Sequence, residues 1–518
     1  MIFAVGLMVS EFNRLMIDAV KTGEIRDRDQ LQSFKIKLCG RLGIENVPAN
    51  SEILADVQPE DRKLLEPFLI KKPMRTGSGV AVVAVMTSPY PCPHGKCAYC
   101  PGGVDNGSPQ SYTGKEPAAR RAERNAFDPF DQVTDRIQQL TAIGHKTDKI
   151  DLIIMGGTFT SRDRAYQEWF VRRCFDSMNG SVSDDLEKAQ IKNETAEHRC
   201  VGLTVETRPD VFMSEQIEAA MELGATRVEL GVQILDDDIL AGVERGHGIA
   251  AIRDSTKACK DHGLKICYHI MPGLPGSSPE KDLECFKRIF EDPDFRPDML
   301  KFYPTLVIEG TKLYDMWKRG EYTPLDVDTA VELLSKMKEI VPEYVRIQRI
   351  QRDIPVPQIS AGILKSNIRQ LVQDHMANTG RACRCIRCRE VGHTDTVLKE
   401  LGSIQQKLLE YEASSGKERF ISLEYEDAVI GYVRLRTDST DTATIRELKV
   451  FGKIAAIGVD GEDWQHRGFG KQLLVEAERF AKLDGKTHIR ITSGVGVRKY
   501  YEAHGYELRA PYMTKDLN

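Results

Sequence analysis

Cys92-Pro-His-Gly-Lys-Cys97-Ala-Tyr-Cys100-Pro-Gly-Gly103 follows closely on an apolar run, Val80 to Met86, that reads as a buried strand. Three clustered cysteines just after a strand point to a metal site at one end of an α/β domain. A [4Fe–4S] cluster ordinarily takes four thiolates. A set of three leaves one iron free to bind a small molecule, which is the arrangement S-adenosylmethionine needs for reductive cleavage to a carbon radical. A structural zinc site is the competing reading, but it usually draws cysteine pairs from two loops, and no second pair lies nearby. Pro101-Gly102-Gly103 lets backbone approach the metal closely.

Outward from this motif the pattern is regular. Apolar runs at Val80–Met86, Asp151–Met155, Val201–Val205, Arg227–Val232, Leu264–Ile270, Met299–Tyr303 and Val345–Ile350 read as strands. Helical patterns at Ser214–Leu223, Ile249–His262 and Pro279–Phe290 lie between them. Such alternation predicts parallel strands in a barrel-like α/β domain. Gly156-Gly157-Thr158, Glu206-Thr207-Arg208-Pro209, Gln233 and Pro272-Gly273 fall just after strands, where such barrels build their active sites. The Cys92–Cys100 spacing departs from the commoner radical-SAM arrangement, and the Gly156-Gly157 turn supports that class by offering backbone groups to an amino-acid ligand.

The chain divides into 1–75, helical; 76–355, the partial (β/α) radical-SAM barrel; 356–395, a basic linker; and 396–518, a smaller α+β unit. In the last unit Phe420–Tyr425, Ala428–Leu435, Ile445–Phe451 and His488–Ile491 read as strands, with helices at Lys471–Leu483 and Val497–His504. Gln465-His-Arg-Gly468-Phe-Gly470 stands directly before the first of these helices. A glycine loop at a helix N-terminus can hold a pyrophosphate. Between a strand and a helix this pattern is the coenzyme A signature of the GNAT acyltransferase fold. A tyrosine near the last helix, Tyr500 or Tyr501, can protonate a leaving thiolate, although at least one of the pair is expected in the core.

Composition fits this reading. The 518 residues are 41% apolar and 29% charged, ordinary for a globular enzyme of several domains. No apolar run is long enough to span a bilayer, and Met1–Met8 lacks the flanks of a signal peptide. Six of the twelve cysteines fall in two tight groups without a secretion signal, so a reducing, cytoplasmic setting is expected. The second group, Cys383-Arg-Cys385-Ile-Arg-Cys388, predicts a zinc site, with His375 and His393 as candidates for a fourth ligand. A net charge of −5 argues against a protein that coats nucleic acid. From Arg346 to Glu390, however, basic residues outnumber acidic ones nine to three, a patch suited to phosphates. Lys71, Lys72, Arg75, Arg120, Arg121 and Arg124 are candidates to extend it.

With Cys92-Pro-His, Tyr99-Cys100-Pro-Gly-Gly103, Gln110-Ser-Tyr-Thr-Gly114, Met155-Gly-Gly-Thr-Phe159, Glu206-Thr-Arg-Pro209 and Ser493-Gly-Val-Gly-Val-Arg498, the chain resembles the catalytic subunit of Elongator over nearly its whole length. The short Cys92–Cys97 loop and the intact second cysteine group are similar to stand-alone archaeal or bacterial members. The resemblance implies a tRNA-modifying enzyme that builds a carboxymethyl group on C5 of the wobble uridine in the anticodon loop, using acetyl-CoA and S-adenosylmethionine. It implies Cys92, Cys97 and Cys100 as [4Fe–4S] ligands and zinc on Cys383, Cys385 and Cys388. It further implies acetyl-CoA contacts at Glu447, Leu448, Lys449, Val450, Phe469, Gly470, Lys471 and Tyr501, and a Lys149 that reaches acetyl-CoA from the barrel. Lys149, Tyr500 and Tyr501 are the catalytic candidates. Radical chemistry on the acetyl methyl would need the iron site and the thioester pocket to face a common chamber. A stand-alone or homo-oligomeric protein is expected, with tRNA as partner and no membrane; the electron donor is not legible. The alternative is a protein lysine acetyltransferase whose iron–sulfur barrel is structural; a non-catalytic RNA-binding module is a third reading.

Overall fold

The computed structural model describes residues 2–44, 46–58, 61, 64–65, 68–70, 76–394, 403–452 and 468–517. Its larger sheet has seven parallel strands in sequential order: β1 (Ala81–Met86), β2 (Lys149–Met155), β3 (Arg199–Thr207), β4 (Arg227–Gln233), β5 (Lys265–Ile270), β6 (Met299–Phe302) and β7 (Arg346–Ile350). β1 and β7 form the two edges and do not pair, so the barrel is open along one seam. Helices between the strands start at carboxylate or hydroxyl caps, among them Asp128, Asp163, Ser278 and Asp326, whose side chains accept first-turn N–H groups.

Alternation along the strands sorts two kinds of residue. Ile150, Leu152, Ile154, Val228, Leu230, Ile266 and Tyr268 are fully buried apolar or aromatic residues. The opposite face of the same strands carries Asp151 on β2, Glu206 on β3, Arg227 and Glu229 on β4, Lys265, Cys267 and His269 on β5, and Lys301 on β6. Branched apolar side chains commonly fill such barrels. Here the inner face is polar, the mark of a barrel that lines a site.

Helices Ile2–Lys21, Arg28–Leu42 and Asn50–Asp56 pack with Leu65 and Leu69 around a separate small core that includes Phe12, Met16, Leu31, Leu38 and Leu54.

The second sheet runs β13-β14-β12-β11-β10-β9-β8. Its strands are β8 (Gln405–Ala413), β9 (Gly416–Tyr425), β10 (Ala428–Thr437), β11 (Thr442–Val450), β12 (His488–Ile491), β13 (Glu507–Arg509) and β14 (Tyr512–Asp516). The sequence reading found β9, β10, β11 and β12 but missed β8, β13 and β14. β8 is an edge strand, largely exposed, so Gln405-Gln-Lys-Leu-Leu-Glu shows no buried face to read. β13 and β14 are short and mostly polar. β11 and β12 pair in parallel only from Thr442 to Ile445, after which they diverge.

The second sheet docks beneath the N-terminal ends of the barrel strands through buried charge. Arg446 reaches Asp298 just before β6, both being fully buried, and its Nε donates to Glu418 at 3.1 Å. Arg434 adds a contact to Asp298 at 3.5 Å, and Arg436 pairs with Asp261 at 2.7 Å. The Gly494 turn lies so close to β3 that an added Cβ would stand 2.2 Å from the Val201 carbonyl.

Candidate active site

At the C-terminal ends of the barrel strands, Cys92, Cys97 and Cys100 line one cavity with Gln110, Thr158, Glu206, Gln233 and His269. The cysteine loop is pinned from several sides. Thr158 Oγ1 lies 3.2 Å from Cys92 Sγ, and the Ser111 N–H donates to Cys100 Sγ at 3.2 Å. Arg245 is buried; its Nη1 lies 3.6 Å from Cys97 Sγ and its Nη2 donates to the Gly231 carbonyl at 2.6 Å. His94 Nε2 stands 3.2 Å from Cys97 Sγ and 2.9 Å from Arg208 Nη1. Burial, reinforced by Arg208 and Arg245, lowers the His94 pKa to about 4, so the ring is neutral. Burial raises the Cys92 and Cys100 thiols, so they deprotonate readily only when a metal takes the charge.

The donor set fits a cluster better than a single ion. One tetrahedral zinc brings its sulfurs close together, at Zn–S distances of about 2.3 Å. The thiols of Cys383, Cys385 and Cys388 meet that demand, lying within 4.8 Å of one another. Those of Cys92, Cys97 and Cys100 do not form such a tight group, as suits a cluster that binds each thiolate through a different iron. Gly156 and Gly157 have φ of 146° and 84°, and an added Cβ at Gly156 would stand 2.0 Å from Thr87 Oγ1, leaving bare backbone beside the cysteines.

Neither histidine joins the second cysteine group. His375 Nε2 lies 2.8 Å from Glu332, and His393 Nε2 lies 3.7 Å from Glu390.

The basic patch expected along the linker divides in space. Arg346, Arg381, Arg384 and Arg389 are ion-paired with Glu390, Glu332, Glu343 or Glu424 and hold elements together. Arg352 and Arg369, with Arg349 paired to Asp353 at 2.6 Å, line a groove along the open seam, facing Lys115, Arg120, Arg121, Arg124 and Arg136 from the β1 side. Burial and neighbouring cations, Arg136 foremost for Arg121 and Arg387 for Arg369, lower both arginines to about 10. Arg349, Arg352 and Asp353 line both groove and cysteine cavity, so the two are continuous. Lys71, Lys72 and Arg75 lie outside the described residues.

In the second sheet, β10 pairs with β11 as far as Val450, while β12 leaves β11 after Ile445. One backbone edge of Arg446–Val450 is therefore open to a ligand. The helix Phe469–Leu483 begins beside it at Gly468, whose φ is 84°. An added Cβ on Gly470 would stand 2.7 Å from Tyr500 Oη, so that hydroxyl overhangs the helix start. Lys471 lies in the first turn, and Gln465, His466 and Arg467 lie outside the described residues. Tyr501 packs in the core of this unit; burial and the neighbouring Tyr500 and Glu447 raise its pKa, keeping the proton on oxygen. Glu447 accepts from Arg434 Nε at 2.9 Å. Lys149 begins β2 at the same end of the barrel, two residues before Asp151, whose charge reaches Lys449.

The cysteine cavity opens at the C-terminal mouth of the barrel and Glu447–Val450 faces the N-terminal mouth. The six- or seven-residue strands between them span roughly 20 Å.

Comparison with known proteins assigns the family. The radical SAM superfamily model matches residues 88–289, and its C-terminal domain model matches 297–378. The ELP3 N-terminal domain matches 8–77 and the acetyltransferase (GNAT) domain 393–516. A tRNA uridine(34) acetyltransferase of Methanocaldococcus jannaschii is 49% identical over 97% of this chain and 96% of its own. Elongator complex protein 3 of Homo sapiens is 40% identical over 99% of this chain and 97% of its own. The chain belongs to the Elongator complex protein 3 family. Among solved structures, the archaeal Methanocaldococcus infernus Elp3 lacking its N-terminal residues superposes with a TM-score of 0.76 at 46% identity, covering 85% of this chain and all of that one. Membership brings a radical SAM domain, which implies a [4Fe–4S] cluster and S-adenosylmethionine, and a GNAT domain, which implies acetyl-CoA. No helix among the described residues is long and apolar enough to cross a membrane.

The sequence reading missed two features of this Elongator-family site. Arg245 lies outside the segments it quoted, yet contacts Cys97. His269, Glu229 and Lys301 form a buried polar group on the inner face. The signal for the second was present: Lys265-Ile-Cys-Tyr-His-Ile270 alternates polar and apolar residues in a strand otherwise read as buried.

Proposed function

We propose that the protein modifies the wobble uridine of tRNA, forming 5-carboxymethyluridine from acetyl-CoA by S-adenosylmethionine radical chemistry. The observation that carries this reading is the continuity of the basic groove with the cysteine cavity. A folded RNA held by its phosphates in the groove can pass one unstacked base into the cavity, and an anticodon loop makes that inexpensive. The M. jannaschii relative's name, tRNA uridine(34) acetyltransferase, supports the same substrate.

In this reading Cys92, Cys97 and Cys100 hold the [4Fe–4S] cluster, and the Gly156-Gly157 turn holds the amino-acid end of S-adenosylmethionine. Bound there, the two would supply a 5′-deoxyadenosyl radical able to take hydrogen from the acetyl methyl; that carbon would then bond C5 of uracil, and hydrolysis of the thioester by water would leave the carboxymethyl group and free coenzyme A. The open edge from Glu447 to Val450 holds the pantetheine arm, and Phe469, Gly470 and Lys471 hold the pyrophosphate at the helix start. Lys149 approaches acetyl-CoA from the barrel, and Tyr500 or Tyr501 protonates the departing thiolate. The acetyl thioester must pass from one mouth to the other before hydrogen is taken from it and before the thiolate departs, and the unpaired seam between β1 and β7 offers a path. Zinc on Cys383, Cys385 and Cys388 steadies the linker. The division at residues 75, 355 and 395 belongs to the same reading, as does a cytoplasmic location.

The test is mass spectrometry of the wobble nucleoside after incubation with reductant, S-adenosylmethionine, acetyl-CoA and tRNA. Carboxymethyluridine from wild type and none from Cys97→Ser is expected. Lysine acetylation of basic peptides that survives Cys97→Ser, with no change in tRNA, would favour a protein acetyltransferase instead.

A further inference from the structure

Below the cysteines the cavity wall carries a histidine that the roles above leave unused. His269, near the C-terminal end of β5, lines the same cavity as Cys92, Cys97 and Cys100. Its Nε2 lies 2.8 Å from Glu229 Oε2 on the neighbouring strand β4. Glu229 is fully buried. Burial alone would raise its pKa, but Lys301 and His269 hold it well below the carboxylate range. A carboxylate can only accept, so Nε2 carries the hydrogen, and in the neutral ring Nδ1 holds the lone pair. Nδ1 has no hydrogen-bond partner among the described residues. The Tyr303 ring meets the imidazole edge-on, with centroids 5.1 Å apart and planes at 80°, fixing its orientation.

Glu229, His269 and Cys267 also have the spacing of a metal site. Lys301 argues against one. Its ammonium already sits on Glu229 Oε2, the oxygen that bonds His269, and supplies the positive charge a metal would bring. What remains is an imidazole oriented by a buried carboxylate, with its basic nitrogen free: the pairing of base and orienting group used in proton transfer.

We propose that His269 is the base that removes the C5 proton of the target uracil, an assignment that rests on the tRNA reading above. Addition of the acyl carbon radical to C5 forms the new C–C bond and leaves an unpaired electron at C6. Restoring the C5–C6 double bond then requires loss of one proton from C5 and one electron from the ring. The proton passes to His269 Nδ1, and the resulting imidazolium is stabilised by Glu229. The electron would go to a one-electron acceptor of the class Cys92, Cys97 and Cys100 would hold, a [4Fe–4S] cluster left oxidised by reductive cleavage of S-adenosylmethionine. Glu229 acts through the imidazole and is a positioning residue.

The experiment uses the reconstituted full-length enzyme and tRNA tritiated at C5 of its uridines. It measures three quantities together: tritium released to water, modified nucleoside and 5′-deoxyadenosine. His269→Gln should retain 5′-deoxyadenosine formation within about threefold while tritium release and product fall about 100-fold or more. Glu229→Gln should lower the ratio of product to 5′-deoxyadenosine in the same sense, and imidazole should restore part of that ratio to His269→Ala. Loss of the cluster through misfolding would lower all three quantities together, so the ratio separates the two effects. A His269→Gln enzyme with the wild-type ratio, or a His269→Ala enzyme deaf to imidazole, overturns the assignment alone. A wild-type enzyme that cleaves S-adenosylmethionine yet releases no tritium from tRNA overturns the tRNA reading and the assignment with it.

Discussion

The two mouths of the barrel are built from the same seven strands and treat charge in opposite ways. At the N-terminal mouth buried arginines are answered across the domain boundary, Arg446 and Arg434 by Asp298 and Arg436 by Asp261, while Glu418 holds Arg446 from within the second sheet. At the C-terminal mouth, buried arginines face thiols and a neutral histidine, and cations crowd the adjoining groove with few acids. A closed ionic network fixes geometry, whereas an unbalanced one selects a ligand. The first end is therefore read as the rigid joint and the second as the place where anionic and electron-rich partners enter.

Cys97→Ser offers the strongest way to break this contrast. It is expected to reduce 5′-deoxyadenosine formation to background while leaving acetyl-CoA hydrolysis by the GNAT unit in place; equal loss of both would mean the two ends do not work separately. Next in size is Asp298→Ala, which removes the carboxylate shared by Arg446 and Arg434 and leaves them only the carboxylates of Glu418 and Glu447 inside the interface. Removing one partner from a buried charge set costs about 3–5 kcal/mol, measurable by denaturant titration. A change of less than about 1 kcal/mol would show the joint to be ordinary surface pairing. Arg369→Ala in the groove should have a milder effect: a slope of log affinity for tRNA against log salt shallower by roughly 0.7 to 0.9, with no change in thermal stability.

The smallest effect expected belongs to Lys260, buried at the joint 3.8 Å from Glu418. Burial, helped by Arg446 and Arg436, lowers its pKa from 10.5 to about 8 despite Glu418 and Asp298. Between those values the unfolded chain holds the proton that the folded chain has lost, so Lys260 makes stability rise with pH across that window. Lys260→Met should flatten the rise by comparison with wild type in melts taken at both ends of the window.

Legibility followed burial. β5 was read as Leu264–Ile270 and runs from Lys265 to Ile270, because its alternate residues must meet a helix layer and therefore leave an apolar trace. β8 left none, since an exposed edge strand has no face to protect from water. The three cysteines were legible as a metal group from their closeness along the chain, and their class only with the Gly156-Gly157 turn beside them. The basic patch was legible as a composition but not as a surface, because Arg384, Arg389 and Arg369 look alike in sequence and only the first two meet acids.

The order of strand and helix, the clustered cysteines, the glycine loops and the family motifs were written in the chain, because each depends on residues close together along it. The placement of the cysteine cavity and of the Glu447–Val450 edge at opposite barrel mouths, the split of the arginines between joint and groove, and the meeting of His269 with Glu229 were decided by tertiary structure. Those facts depend on which strand lies beside which and on which acids the fold carries within reach, and distance along the chain does not encode either.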